Sequence, residues 1–165
     1  MMAKLDDWWA QKPLSFSPLS ESRPNEEHRF GQQIFISDEQ PTGLQHYHLA
    51  RILLAAHYPQ TPRCGIRKVL AQEVEDRNIR PHVRALCALA VSNPGAPPNY
   101  VSACLGILMC GEKFEDVLDQ QAFVQILTHT ESSHAWPTRS TRSYLLDTWE
   151  SSRCEKRLSE QSLTG

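Results

Sequence analysis

No two cysteines of this chain stand in a C-x-x-C spacing, so neither a zinc knuckle nor a thioredoxin-like redox pair can be assembled locally. The five present, Cys64, Cys87, Cys104, Cys110 and Cys154, form an odd set without the spacing of a disulfide framework. They read as thiols of a reducing compartment, most of them in core packing. Glycine is sparse and scattered, and the seven residues build no G-x-x-x-x-G-K, G-x-G-x-x-G or G-x-S-x-G. That removes the phosphate-cradling loop and the nucleophile elbow. Long apolar runs are missing too: the best, Val101 to Cys110, is ten residues interrupted by Ser102 and Gly106, against the roughly 18 needed to cross a bilayer. Asp6, Asp7 and two tryptophans follow the first few residues, which is not the order of a signal peptide. The expectation is a soluble protein of the cytosol or nucleus. Nor is there an excess of positive charge. A net charge of −2 and a pI near 6.4 give no long-range field to gather a phosphate backbone.

What is present is helical patterning over a length, 165 residues, that suits one core. The segment Lys12 to Asn25 holds Pro13, Pro18 and Pro24 with Ser15, Ser17, Ser20 and Ser22, and predicts an extended connector. Phe16, Leu19, Phe30, Ile34 and Ile36 would lay it against a helical body. Ile34-Phe35-Ile36 has strand character but no evident pairing partner. From Gly43 a helical period carries Leu44, Tyr47, Leu53, Leu54 and His57 to a stop at Pro59. Ile66, Val69, Leu70 and Val74 give a second helix after Pro62, ending around Asn78. Pro81 suits the first turn of a third, with Val83, Leu86, Cys87 and Ala90 on one face up to Asn93-Pro94-Gly95.

Pro97-Pro98-Asn99 opens a fourth helix with a Val101, Cys104, Leu105, Leu108 and Met109 stripe and Gly111 at its C-terminal cap. Asp116 or Asp119 caps a fifth, with Ala122, Phe123, Ile126, Leu127 and Thr130 on one face, broken by Trp136-Pro137. Thr138 caps a sixth carrying Leu145, Leu146 and Trp149, after which Ser151 to Gly165 is polar and frays. The chain thus reads as all-α: an N-terminal extended segment over 1–42, a single irregular helical domain of about six helices over 43–150, and a disordered tail over 151–165.

Reactive side chains do not fall into a constellation. His46 and His48 are two apart, about 200° around a helix, and cannot chelate from one face; one packed and one exposed histidine is the reading. His82 and Cys87 are five apart, and His57 precedes Cys64 by seven, so neither pair has the i, i+4 register of a base and its nucleophile. The acidic groups Glu73/Glu75/Asp76 and Glu112/Glu115/Asp116 read as solvated faces, with Glu73–Arg77 and Asp76–Arg80 as surface pairs. The basic set Arg63, Arg67, Lys68, Arg77, Arg80 and Arg84 is interrupted by them. Trp136 and Trp149 read as core; Trp8 and Trp9 read equally as core or as an interface. No metal, cofactor or catalytic set is expected.

The run His82-Val83-Arg84-Ala85-Leu86-Cys87-Ala88-Leu89-Ala90-Val91-Ser92-Asn93, followed by Cys110-Gly111-Glu112-Lys113-Phe114 and His134-Ala135-Trp136-Pro137-Thr138, resembles the C-terminal end of a fungal-specific transcription factor regulatory domain. The resemblance extends upstream through Gly43-Leu44-Gln45-His46-Tyr47-His48-Leu49-Ala50-Arg51-Ile52-Leu53-Leu54 and, more loosely, Lys12-Pro13-Leu14-Ser15-Phe16, over about residues 8 to 150. It implies a helical region that regulates transcription from the nucleus, downstream of a six-cysteine binuclear zinc cluster. The cluster's cysteine pairs are absent from this sequence, so the regulatory role carries over and the DNA contact does not. His82, Arg84, Trp136, Pro137 and Trp149 are then the structural or interface residues to watch, with Trp136-Pro137-Thr138 setting the angle between the last two helices. Protein partners are implied, among them a full-length zinc-cluster regulator or other transcription machinery, with a small-molecule effector as an addition and no membrane contact. Two alternatives stay open: a standalone protein-interaction adaptor, and a small enzyme with a site assembled from His57, His82 and Cys87.

Overall fold

A computed structural model describes residues 2–57 and 66–163 of the chain. Six α-helices dominate it: α1 Met2–Gln11, α2 Glu39–His57, α3 Ile66–Ser92, α4 Pro97–Cys110, α5 Val117–His134 and α6 Arg139–Leu163. Between α1 and α2 runs an irregular strap with a single 3-10 turn at Leu14–Phe16 and two short strands, β1 Ser20–Ser22 and β2 Gln32–Ile34, paired antiparallel with Glu21 opposite Gln33. The domain is all-α.

The core lies where α2, α3, α4 and α5 converge. Ile52, Val83, Leu86, Cys87, Ala103, Ile107, Phe123 and Leu127 are fully enclosed there, with Leu145 and Trp149 of α6 closing one end. Burying side chains of this size is worth about 1.5–3 kcal/mol each before chain entropy is set against it. A smaller cluster of Phe35, Leu44 and Leu89, with Phe16 against it, fastens the strap to α2 and α3. Gly106 lets α3 and α4 approach, since a Cβ there would stand 2.6 Å from a Leu86 methyl.

Several sequence expectations need correction. Residues 2–11 are helical and not extended, and β1 supplies the partner that the Ile34 strand was expected to lack. α2 starts at Glu39, ahead of Gly43. Pro81 lies inside one continuous 27-residue helix and does not start a new one; Ile79 and Val83 on either side of it are buried, so packing holds the helix together across the missing N–H. α4 forms where expected but turns a different face inward: Asn99, Tyr100, Ala103, Cys104, Gly106, Ile107 and Cys110 are buried, while Leu105 and Leu108 face out. Gly111 ends α4 in right-handed geometry, and its close contact is with Leu145 of α6. Residues 151–163 continue α6 as helix. The stop expected at Pro59 and the helix start expected after Pro62 fall at or beside residues outside the described ones, as does Cys64.

Asp116 does cap α5, accepting from the Leu118 N–H at 2.8 Å. Thr138 stands just ahead of α6 and its carbonyl accepts from the Arg142 N–H, but its hydroxyl donates to the Leu127 carbonyl at 2.7 Å and so ties α6 to α5.

Candidate functional site

Three arrangements stand out from ordinary packing. The first joins α1 to α2 and α3. Tyr47 stacks on both Trp8 and Trp9, at centroid separations of 5.5 and 4.6 Å, and Asp6 pairs with Arg51. Beneath Trp9 the imidazoles of His48 on α2 and His82 on α3 meet at 2.9 Å, Nδ1 to Nδ1. One ring must donate its N–H and the other accept it, so the accepting ring at least is neutral. Burial, with the neighbouring His82 and Arg51 adding to it, pushes the His48 pKa down to about 3, and burial and Arg51 lower that of His82. His46 is exposed and meets only its own helix, at the Thr42 carbonyl.

The second arrangement locks the strap down. Asp119 of α5 is fully buried and its two oxygens are taken from opposite sides, Oδ1 by Arg29 of the strap at 2.7 Å and Oδ2 by Arg84 of α3 at 2.5 Å. Arg29 also reaches Asp116. Two carboxylates face two guanidinium groups, so the buried charge is balanced, and the Arg29 pKa is raised first through its bond to Asp119. Further along, Asn93 acts as a substitute peptide group: its Oδ1 accepts from the Phe35 N–H at 3.1 Å and its Nδ2 donates to the Gln33 carbonyl at 2.8 Å. The hairpin in the strap turns at Gly31, whose φ of 77° and 2.5 Å approach of a would-be Cβ to the Ser22 carbonyl leave no room for a side chain.

The third is the distal half of α6. Beyond Trp149, whose indole N–H donates to the Gly111 carbonyl at 3.1 Å, the described side chains from Glu150 through Gln161 are all exposed. Arg153, bonded to Gln120, and Lys156, paired with Glu115, tie this half back to the body.

Of the residues singled out from sequence, His82 and Arg84 enter the first and second arrangements, and Trp149 sits in the core. Trp136 does not: it is 42% exposed and Pro137 beside it is exposed too, a correction to the core placing. The chain leaves α5 through Ala135 in left-handed geometry, which swings the indole outward. The structure does not bring His82 and Cys87 together. Cys87 is enclosed in the apolar core, where burial raises its thiol pKa well above the usual value, while His82 is engaged by His48. The His57 side chain lies outside the described residues. Cys110 is likewise pushed up, to about 11, by burial. Asp76 pairs with Lys113, and Arg80 donates to the Lys113 carbonyl, so the acidic stretch of α3 is bound to the turn after α4. Among the described residues no three His, Cys, Asp or Glu side chains stand together to hold a metal, and no helix is long and apolar enough to cross a membrane.

Sequence reasoning did not single out Arg29, and saw in Asp119 only a helix cap and in Asn93 only a helix end. An arginine in an irregular stretch carries no local sign that it will meet a carboxylate ninety positions on. Comparison with known proteins finds no matching family model, curated protein or solved structure.

Proposed function

We propose that this chain is a helical regulatory domain that works by contact with a protein partner, in the way the resemblance to a fungal-specific transcription factor domain implies. The observation that carries the reading is the distal half of α6: a helical stretch whose described side chains are exposed, Leu158 among them, and which meets the body through polar contacts such as Arg153 with Gln120 and Lys156 with Glu115. A helix this short is marginal in water by itself, and a protein surface laid along it would supply the missing packing. The reading involves no bond-making chemistry. It assigns DNA contact to the partner, a zinc-cluster regulator, in keeping with a net charge of −2. The nucleus is the compartment it implies.

The test is a binding assay between the purified chain and cloned full-length zinc-cluster regulators from the same genome. The chain is expected to capture one or more of them, and a version ending at Arg153 is expected to lose capture while keeping its melting midpoint. A chain that stays monomeric and partnerless across the panel overturns the reading. The simple adaptor, which would occupy such a regulator without altering its output, is separated by a reporter gene: capture with no change in transcription favours it.

A further inference from the structure

Between the strap and α3 lies a cavity of about 680 Å³, lined among others by Glu21, Arg23, Phe30, Arg84, Ala85 and Ala88. Its size falls in the range of small-molecule sites, about 300–1,000 Å³. The apolar part is Phe30, Ala85 and Ala88, and Phe30 is held flat by stacking on Phe123, 5.6 Å between centroids and 12° between planes. The charged part comes from Glu21 and Arg23 of the strap and from Arg84 of α3. Glu21 lies in β1 and Arg23 is the first residue past its end, at most about 7 Å further along the chain.

Neither charge is used up. Glu21 takes the Gln33 amide on Oε1 at 2.9 Å, which leaves Oε2. Arg23 has no ion pair or hydrogen bond among the described residues. Arg84 spends Nε and Nη2 on Asp119, and its Nη1 is left over. The cavity therefore offers an acceptor of one sign, donors of the other and an apolar floor within one small volume. A simple anion would satisfy the arginines and leave Glu21 facing it; an amine would do the reverse. A molecule carrying both charges on groups bonded to one carbon, with an apolar body, answers all three features.

We propose that this cavity binds a free apolar α-amino acid, its carboxylate on Arg23 and the spare Arg84 nitrogen, its ammonium on Glu21 and its side chain over Phe30. The proposal stands on the cavity alone and does not depend on the protein-partner reading. It is tested by following amide resonances of the full chain while L-phenylalanine is added. With about 12 non-hydrogen atoms at ordinary ligand efficiency, a Kd of about 1 mM is expected. Shifts should concentrate at Glu21, Arg23, Phe30, Ala85 and Ala88. Phenethylamine and 3-phenylpropanoate, each lacking one charge, should bind about tenfold more weakly, the loss of one charge-assisted contact. Arg23 is exposed, so Arg23→Ala should leave the fold intact and weaken L-phenylalanine about tenfold. Glu21→Gln should erase the preference for L-phenylalanine over 3-phenylpropanoate. Absence of shifts at these residues at about ten times the expected Kd overturns the proposal. So do unchanged affinity in Arg23→Ala, and equal binding of 3-phenylpropanoate by the unsubstituted chain.

Discussion

Trp136 and Trp149 belong to the same short stretch of sequence and to opposite environments. Trp149 is 3% exposed, hydrogen-bonded through its indole and packed on Leu145's side of the core, whereas Trp136 is 42% exposed. Trp149→Ala should cost about 3–5 kcal/mol, and Trp136→Ala about 1 kcal/mol or less. Thermal melts of the two variants check this, and equal losses would contradict the placement. The His48–His82 pair has a consequence for pH. Both pKa values are lowered in the fold, so stability is full above the unfolded value near 6.5 and declines as pH falls toward the folded value, about 3 for His48. At pH 5 the proton refused by His48 corresponds to about 2 kcal/mol, 1.5 pH units at about 1.36 kcal/mol each. Urea denaturation at pH 7.5 and pH 5 should show that difference in the parent chain and a smaller one in His48→Gln.

The helices were largely legible from sequence because most carry an apolar stripe and a physical stop. In α5 the stripe Phe123, Ile126, Leu127 and Thr130 is the face that packs, and Asp116 caps its start. In α4 the existence of the helix was legible and its orientation was not. Apolar residues cover most of its circumference, so periodicity cannot choose between the Leu105–Leu108 side and the Ala103–Ile107 side. The small residues decide: Ala103 and Gly106 let α4 sit against α3, and a leucine face would hold it off. Gly106→Ala tests that argument because two terms of opposite sign compete. Replacing a helical glycine gains about 1 kcal/mol of propensity, while a methyl placed 2.6 Å from a Leu86 carbon in a filled core costs about 1–3 kcal/mol. We expect net destabilisation by about 1 kcal/mol, and a stabilised variant would show that the α3–α4 contact has slack. Pro81 misled the reading in the other direction. A proline marks a break only where nothing else holds the helix, and here Ile79 and Val83 are anchored on both sides of it.

At the scale of the molecule, the cavity and the Asp119 lock depend on the strap, and the strap was the least legible part. Its fastenings join residues far apart in sequence: Arg29 to Asp119, and Gln33 and Phe35 to Asn93. No local pattern announces such pairs, because an irregular stretch reads as extended whether or not a distant carboxylate or amide waits for it. Structurally the two fastenings differ in what they control. The Asp119 pairs hold one point of the strap, while Asn93 completes the hydrogen bonding of β2, which otherwise rests on the Gln33 N–H bond to the Ser92 hydroxyl and a three-residue pairing with β1 that is marginal alone. Asn93→Ala leaves the Phe35 N–H and Gln33 carbonyl without this partner in a region where Phe35 is buried, at a cost of about 2–3 kcal/mol. Because the helical core does not share these bonds, the loss should open the strap as a unit. Hydrogen exchange should then speed up about a hundredfold for amides between 30 and 36, while those of Leu86, Phe123 and Leu127 stay as slow as before. Equal acceleration in the helices would mean that the strap and the core fold and unfold as one piece.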